Sequence, residues 1–136
     1  AQRLCAIFTC AISAGVGGGE WGAALPEKNL EGLAFLWYTT SAPETPGEVA
    51  KLTIRYRGGE SESFPLRYGK EVSSRDSARP SFLGPEAWRA SDDKARLWRW
   101  FWKNPHPQKS VESFVLEQAE PSLGLMVFGV TGVEQP

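Results

Sequence analysis

Hydrophobic residues fall in short runs, rich in β-branched and aromatic residues and broken by Gly, Pro, Ser and Asn. Where such a run alternates with polar residues, successive side chains go to opposite faces and the run reads as a half-buried β-strand. The runs predict strands over about 3–12, 31–40, 48–57, 60–67, 95–103, 110–118 and 123–132. Two of them, 31–40 and 123–132, are apolar on both faces, which predicts central positions. Nothing carries the 3.6-residue period of a long helix; one helical turn is expected around Pro85 to Arg89. The expectation is an all-β chain with a single domain over 1–136. Its predicted architecture is a jelly-roll-like β-sandwich of about eight antiparallel strands in two sheets.

The clearest local unit is KLTIRYRGGESESF, residues 51–64. Leu52, Ile54 and Tyr56 alternate with Lys51, Thr53, Arg55 and Arg57, and Gly58-Gly59 supplies the positive φ angles of a two-residue hairpin turn. That register sets Arg57 opposite Glu60 and Arg55 opposite Glu62 on one solvent face. Exposed pairs of this kind contribute little energy but help to fix register.

The segment ARLWRWFWK, residues 95–103, places Trp98, Trp100 and Trp102 on one strand face with Arg96. Ala95, Leu97, Arg99, Phe101 and Lys103 occupy the other. An outward Trp face would force Arg99 into the core, where an unpaired guanidinium is costly. An inward Trp face lets Arg99 and Lys103 reach water and leaves Phe101 as the large exposed misfit. The second arrangement is cheaper, so the Trp face is expected to be core. Indole N–H groups also want partners, so one end of the row is expected to emerge at a rim. Trp98, next to the longest loop, is the expected one.

That loop, SSRDSARPSFLGPEAWRASDDK over 73–94, has no clear period, and long loops in compact domains are more often functional than idle. A tighter connection, NPHPQK, uses two prolines to stop both neighbouring strands.

Composition then narrows the classes. Hydrophobic residues make 41% and charged residues 23%, which describes a globular chain and not a disordered one. The 15 basic and 16 acidic residues nearly cancel and form no basic stripe, so neither nucleic acid nor an anionic membrane is an expected partner. Apolar runs fall far short of the ~20 residues of a membrane helix. Aromatics are the unusual entry at 12%, with six Trp, and such residues are over-represented at binding surfaces.

Cys5 and Cys10 are the two cysteines. Along a strand they lie roughly 16 Å apart on opposite faces, too far for a disulfide, so both are expected to be free and buried. Residues 1–19 have the layout of a secretion signal, one Arg, an apolar run and small residues. They are read instead as a strand with a processed or excised start. GVGGGEW lacks the strand-to-helix context of a phosphate loop and reads as a turn.

Candidate chemistry is sparse. His106, the single histidine, lies between two prolines and is expected to face solvent. Asp76, Glu86, Asp92 and Asp93 offer oxygens for a structural calcium, but Arg75, Arg79 and Arg89 among them favour a solvated loop. No catalytic residue, metal site or cofactor is assigned. Trp88, beside Arg89, either plugs the loop onto the core or offers an indole face to the apolar side of a sugar ring. Candidate ligand contacts are therefore Trp88, Arg89, Trp98 and Arg99.

From about Leu33 onward the chain resembles the galactose-binding-like jelly-roll modules found beside secreted bacterial glycoside hydrolases. The residues that carry the likeness are LAFLWYTT, VAKLTIRYRGGESESFPLRYGKEV, the AW of 87–88, LWRWFWKNPHPQKSVESFVLEQ and LGLMVFGVTGV. The chain departs from the pattern in having no Trp soon after YGKEV and a short segment ahead of Leu33. The resemblance implies a non-catalytic carbohydrate-binding or accessory module of a polysaccharide-processing system, extracellular or periplasmic, with an oligosaccharide or polysaccharide as partner. It does not identify sugar-contacting residues. Two alternatives stand beside it. One is a structural module, homo-oligomeric through an aromatic interface; the other is a small glycan-acting enzyme using carboxylates such as Asp92 or Asp93.

Overall fold

A computed structural model describes residues 4–8, 20–43, 47–75, 86–89, 91, 96–119 and 124–134, with the side chains of 4–8, 20, 26–28 and 86–89 outside that description. Its strands are β1 (Leu4–Phe8), β2 (Glu20–Thr39), β3 (Glu48–Tyr56), β4 (Ser61–Arg67), β5 (Glu86–Arg89), β6 (Arg96–Lys103), β7 (Ser110–Gln118) and β8 (Leu125–Glu134). The chain is all-β, and every pairing between these strands is antiparallel.

One hydrogen-bonded path joins β1, β8, β2, β7, β3 and β4 in that order, with β6 also on β2 and β5 on β6. Strand β2 makes this possible. Its first half, Glu20 to Asn29, pairs with β7, while Leu30 to Thr39 pairs with β8, and Gly32 to Trp37 bond β6 along the other edge. The register slips between Ala24 and Lys28, around Pro26, whose ring nitrogen has no proton to give the ladder. The sheet is curled, so strands distant along that path meet. Phe64 of β4 lies edge-on to Trp102 of β6 at 5.6 Å, and Phe35 of β2 edge-on to Phe114 of β7 at 5.9 Å.

The doubly apolar runs do take central places, β2 between β8 and β6, and β8 between β1 and β2. β2 begins eleven positions before the predicted 31. Gly22, Ala23, Ala24 and Pro26 have low strand propensity, and tertiary contact overrides it: a Cβ on Gly22 would collide with the Phe114 carbonyl of β7. The helical turn expected at 85–89 is instead β5, whose backbone is held in the extended form by pairing Trp88 with Leu97 and Arg89 with Arg96. Cys5 lies on β1 opposite Gly132, and Cys10 falls outside the described residues.

The 58–59 turn is also corrected, by one residue. Both glycines have positive φ, 103° and 95°. Yet Tyr56 N–H donates to the Glu60 carbonyl, closing a three-residue loop, and Arg55 lies opposite Ser61 with Ile54 opposite Glu62. The hydrophobic pattern requires this. The expected register would set Phe64 opposite Thr53 and turn Phe64 and Leu66 to solvent, whereas the observed one sets them beside Leu52 and Ala50 on the core face. Thr53 and Ser63 then share a hydrogen bond on the outer face, 3.0 Å.

Candidate functional site

Strand β6 divides its own aromatic residues between two faces. Trp98, Trp100 and Trp102 point inward, with exposures of 1%, 9% and 2%. Trp100 stacks on Trp37 (5.8 Å, 9°), and Phe35 stacks on both. Each large ring removed from water is worth about 1.5–3 kcal/mol, so this stack contributes substantially to the core. The Trp row is core, as the cost of burying Arg99 requires.

Trp98 does not emerge at a rim. Its Nε1 donates to the Ser74 carbonyl (2.9 Å), and Trp37 Nε1 donates to the Glu71 carbonyl (3.0 Å). The segment Glu71–Ser74, the start of what reads as loop in sequence, is buried against these indoles. It is tied down by Thr39 N–H to the Ser73 carbonyl and Arg75 N–H to the Thr39 carbonyl. Backbone acceptors brought from 24 and 34 residues away supply the indole partners that were sought in solvent. Among the described residues, Trp102 carries a buried indole N–H without a partner. Trp98 therefore has no open face for a ligand.

The outer face of β6 is different. Arg99, Phe101 and Lys103 are all exposed there, and Phe101, at 40%, is the large apolar side chain most open to water among the described residues. Alongside, β2 sets Gly32 opposite Lys103, Ala34 opposite Phe101 and Leu36 opposite Arg99. The Phe101 ring leans over Gly32, where a Cβ would collide with it. Tyr38 and Phe128 make a second, half-buried aromatic pair farther along the same face, with ring centres 5.0 Å apart. Among the described residues neither Arg99 nor Lys103 has an acidic partner. Of the four sequence candidates, Arg99 is on this face. Trp88 and Arg89 are on β5 opposite Leu97 and Arg96, with their side chains outside the described residues.

A polar node closes one end of the fold. The buried Asn104 accepts from Tyr56 Oη and from His106 N–H, and its Nδ2 donates to the Leu30 carbonyl, each at 2.9 Å. Burial, and then the nearby Glu62 carboxylate, push the Tyr56 hydroxyl up to about 12. His106 is not simply solvent-facing: its Nε2 lies 3.1 Å from Glu62 Oε1, and its ring stands edge-on to Tyr56 at 5.6 Å. Glu62 reaches it because the corrected hairpin register turns that carboxylate inward. Lys109 pairs with Glu60 and lies over the Tyr56 ring, and its ion pair holds the Glu60 carboxyl below the usual range. These bonds lock the 104–109 turn onto β3 and β4.

Among the described residues no group of three or more His, Cys, Asp or Glu is placed to hold a metal. The loop-calcium candidates Asp76, Asp92 and Asp93, and the side chain of Glu86, lie outside those residues. Among the described residues no helix is long and apolar enough to cross a membrane. In comparisons with known proteins the chain matches no family model, no curated protein and no solved structure.

Proposed function

We propose that the chain is a non-catalytic carbohydrate-binding module of an extracellular or periplasmic polysaccharide-processing system, and that it binds through the outer face of β6. The curled sheet is, in this reading, the jelly-roll-like sandwich of the modules the sequence resembles. One observation supports the reading above others: Phe101 is 40% exposed between two exposed cationic side chains on the same strand face. An exposed ring offers the apolar platform a sugar stacks on, and Arg99 offers a rigid fork of donors for hydroxyl or ring oxygens. The face is an open strand surface, a shape that admits a polymer extending beyond the site at both ends. The tryptophans that first suggest sugar binding serve instead to fix this surface from behind.

Retention of the folded chain on immobilised polysaccharides, run beside sedimentation, tests the reading. Phe101→Ala should abolish retention while shifting stability by no more than about 1 kcal/mol, as for exposed side chains generally. A chain that sediments as a dimer through this face, with no glycan retained, overturns the proposal in favour of an oligomer-forming module.

A further inference from the structure

Taking that reading as its basis, we infer that the glycan bound by the β6 face is anionic, carrying carboxylate or sulfate groups. Net charge conceals the feature that points there. The chain as a whole is nearly neutral, at −1. Two exposed bases elsewhere are matched: Lys51 lies 3.4 Å from Glu117 on the β3–β7 surface, and Lys109 pairs with Glu60 at the turn. On the outer face of β6, Arg99 and Lys103 have no such ion pair among the described residues. Arg99 and Lys103 lie four residues apart on one side of a strand, roughly 13 Å, with Phe101 between them.

Beside Arg99, Phe101 and Lys103, the paired positions of β2 carry no carboxylate. β2 sets Ala34, Leu36 and Tyr38 beside β6, and β8 sets Met126 and Thr131 opposite Tyr38 and Ala34. Two cations with no ion-pair partner among the described residues, beside a row of apolar and small residues on β2, make a local positive field that an overall count does not show. The low-polarity row also keeps screening water off one side of each cation, which strengthens its attraction to an anion. An uncharged sugar would leave both cations unanswered. A polymer with regularly spaced anionic groups answers both while its ring faces meet Phe101.

The test measures retention on polygalacturonate, alginate and chondroitin sulfate, against dextran and fully methyl-esterified polygalacturonate, which keeps the backbone and masks the charge. Phosphatidylglycerol vesicles and duplex DNA serve as other anionic surfaces. The expected result is retention on at least one anionic glycan, little on the neutral ones, and affinity falling steeply with salt. Arg99→Gln and Lys103→Gln should each weaken binding about threefold to tenfold, and Phe101→Ala by about tenfold or more, with circular dichroism unchanged. Equal retention on the neutral glycans, indifferent to salt and to the two charge variants, overturns the inference and leaves the carbohydrate reading standing. Retention on vesicles or DNA, with none on any glycan, overturns both, as does no retention at all.

Discussion

The Tyr56 hydroxyl donates to Asn104 Oδ1 over 2.9 Å, and both residues are buried. This one contact ties the end of β3 to the turn that leaves β6. The same Asn104 amide holds the Leu30 carbonyl of β2 and the His106 N–H. Asn104→Ala would leave the Tyr56 hydroxyl and the Leu30 carbonyl buried without partners, at about 1–3 kcal/mol each. A loss of roughly 3 kcal/mol is expected in a urea melt. A loss under about 1 kcal/mol would mean that water replaces the amide and the turn is not locked.

Tyr56 also sets an alkaline limit. Its hydroxyl, near 10 when free, is raised to about 12 in the folded chain, by burial first and Glu62 second. Below about 10 both folded and unfolded chains keep the proton, so stability does not depend on this group. As pH rises from about 10 towards 12 only the unfolded chain ionises, and stability falls. Tyr56→Phe should lower stability at neutral pH through the lost bond to Asn104 Oδ1, which then keeps the His106 N–H as its donor. It should also flatten the alkaline decline, as read from urea midpoints across that range.

The indoles of Trp98 and Trp102 are equally buried but differently bonded. Trp98 Nε1 has the Ser74 carbonyl, whereas Trp102 Nε1 has no partner. Trp98→Phe therefore removes a buried hydrogen bond to the Ser74 carbonyl, while Trp102→Phe removes an orphaned donor. Both lose similar ring volume. Trp98→Phe should be the more costly by about 1–2 kcal/mol in parallel denaturant melts. Truncation to Ala at Trp100 or Trp102 should cost about 3–5 kcal/mol, because a core cavity opens.

Much of this was legible in the sequence because period-two patterning and the cost of burying charge are local. The inward Trp98–Trp100–Trp102 row and the outward Arg99, Phe101 and Lys103 follow from one strand alone. The hairpin register was not legible from the turn, since Gly58-Gly59 suits a two-residue or a three-residue loop. The positions of Phe64 and Leu66 decide it, and with it whether Glu62 meets Arg55 or His106. The burial of Trp98 was hidden for another reason: its hydrogen-bond acceptor is a backbone carbonyl at Ser74, and carbonyls leave no mark in a sequence. The first half of β2 was hidden because Gly22 fits a close approach of β7, which weak local propensity conceals. The candidate binding face was half visible. Phe101 was recognisable as an exposed misfit, but the Gly32, Ala34 and Leu36 row beside it comes from β2.

Gly32 offers a direct probe of that face. It lies on β2 opposite Lys103, and a Cβ there would strike both the Trp102 carbonyl and the Phe101 ring. The ring can swing away, but the carbonyl belongs to the β2–β6 ladder and cannot. Gly32→Ala should therefore destabilise by about 1–3 kcal/mol, as overpacking does, and displace Phe101 from its present position. In a double variant with Phe101→Ala the ring collision is already gone, so the combined loss should be smaller than the sum by at least about 0.5 kcal/mol. Strict additivity in the melts would show that the ring does not rest on Gly32. On the carbohydrate reading, Gly32→Ala should also weaken glycan retention, since the stacking platform has moved. Full retention in a folded Gly32→Ala chain would separate Phe101 from the binding surface.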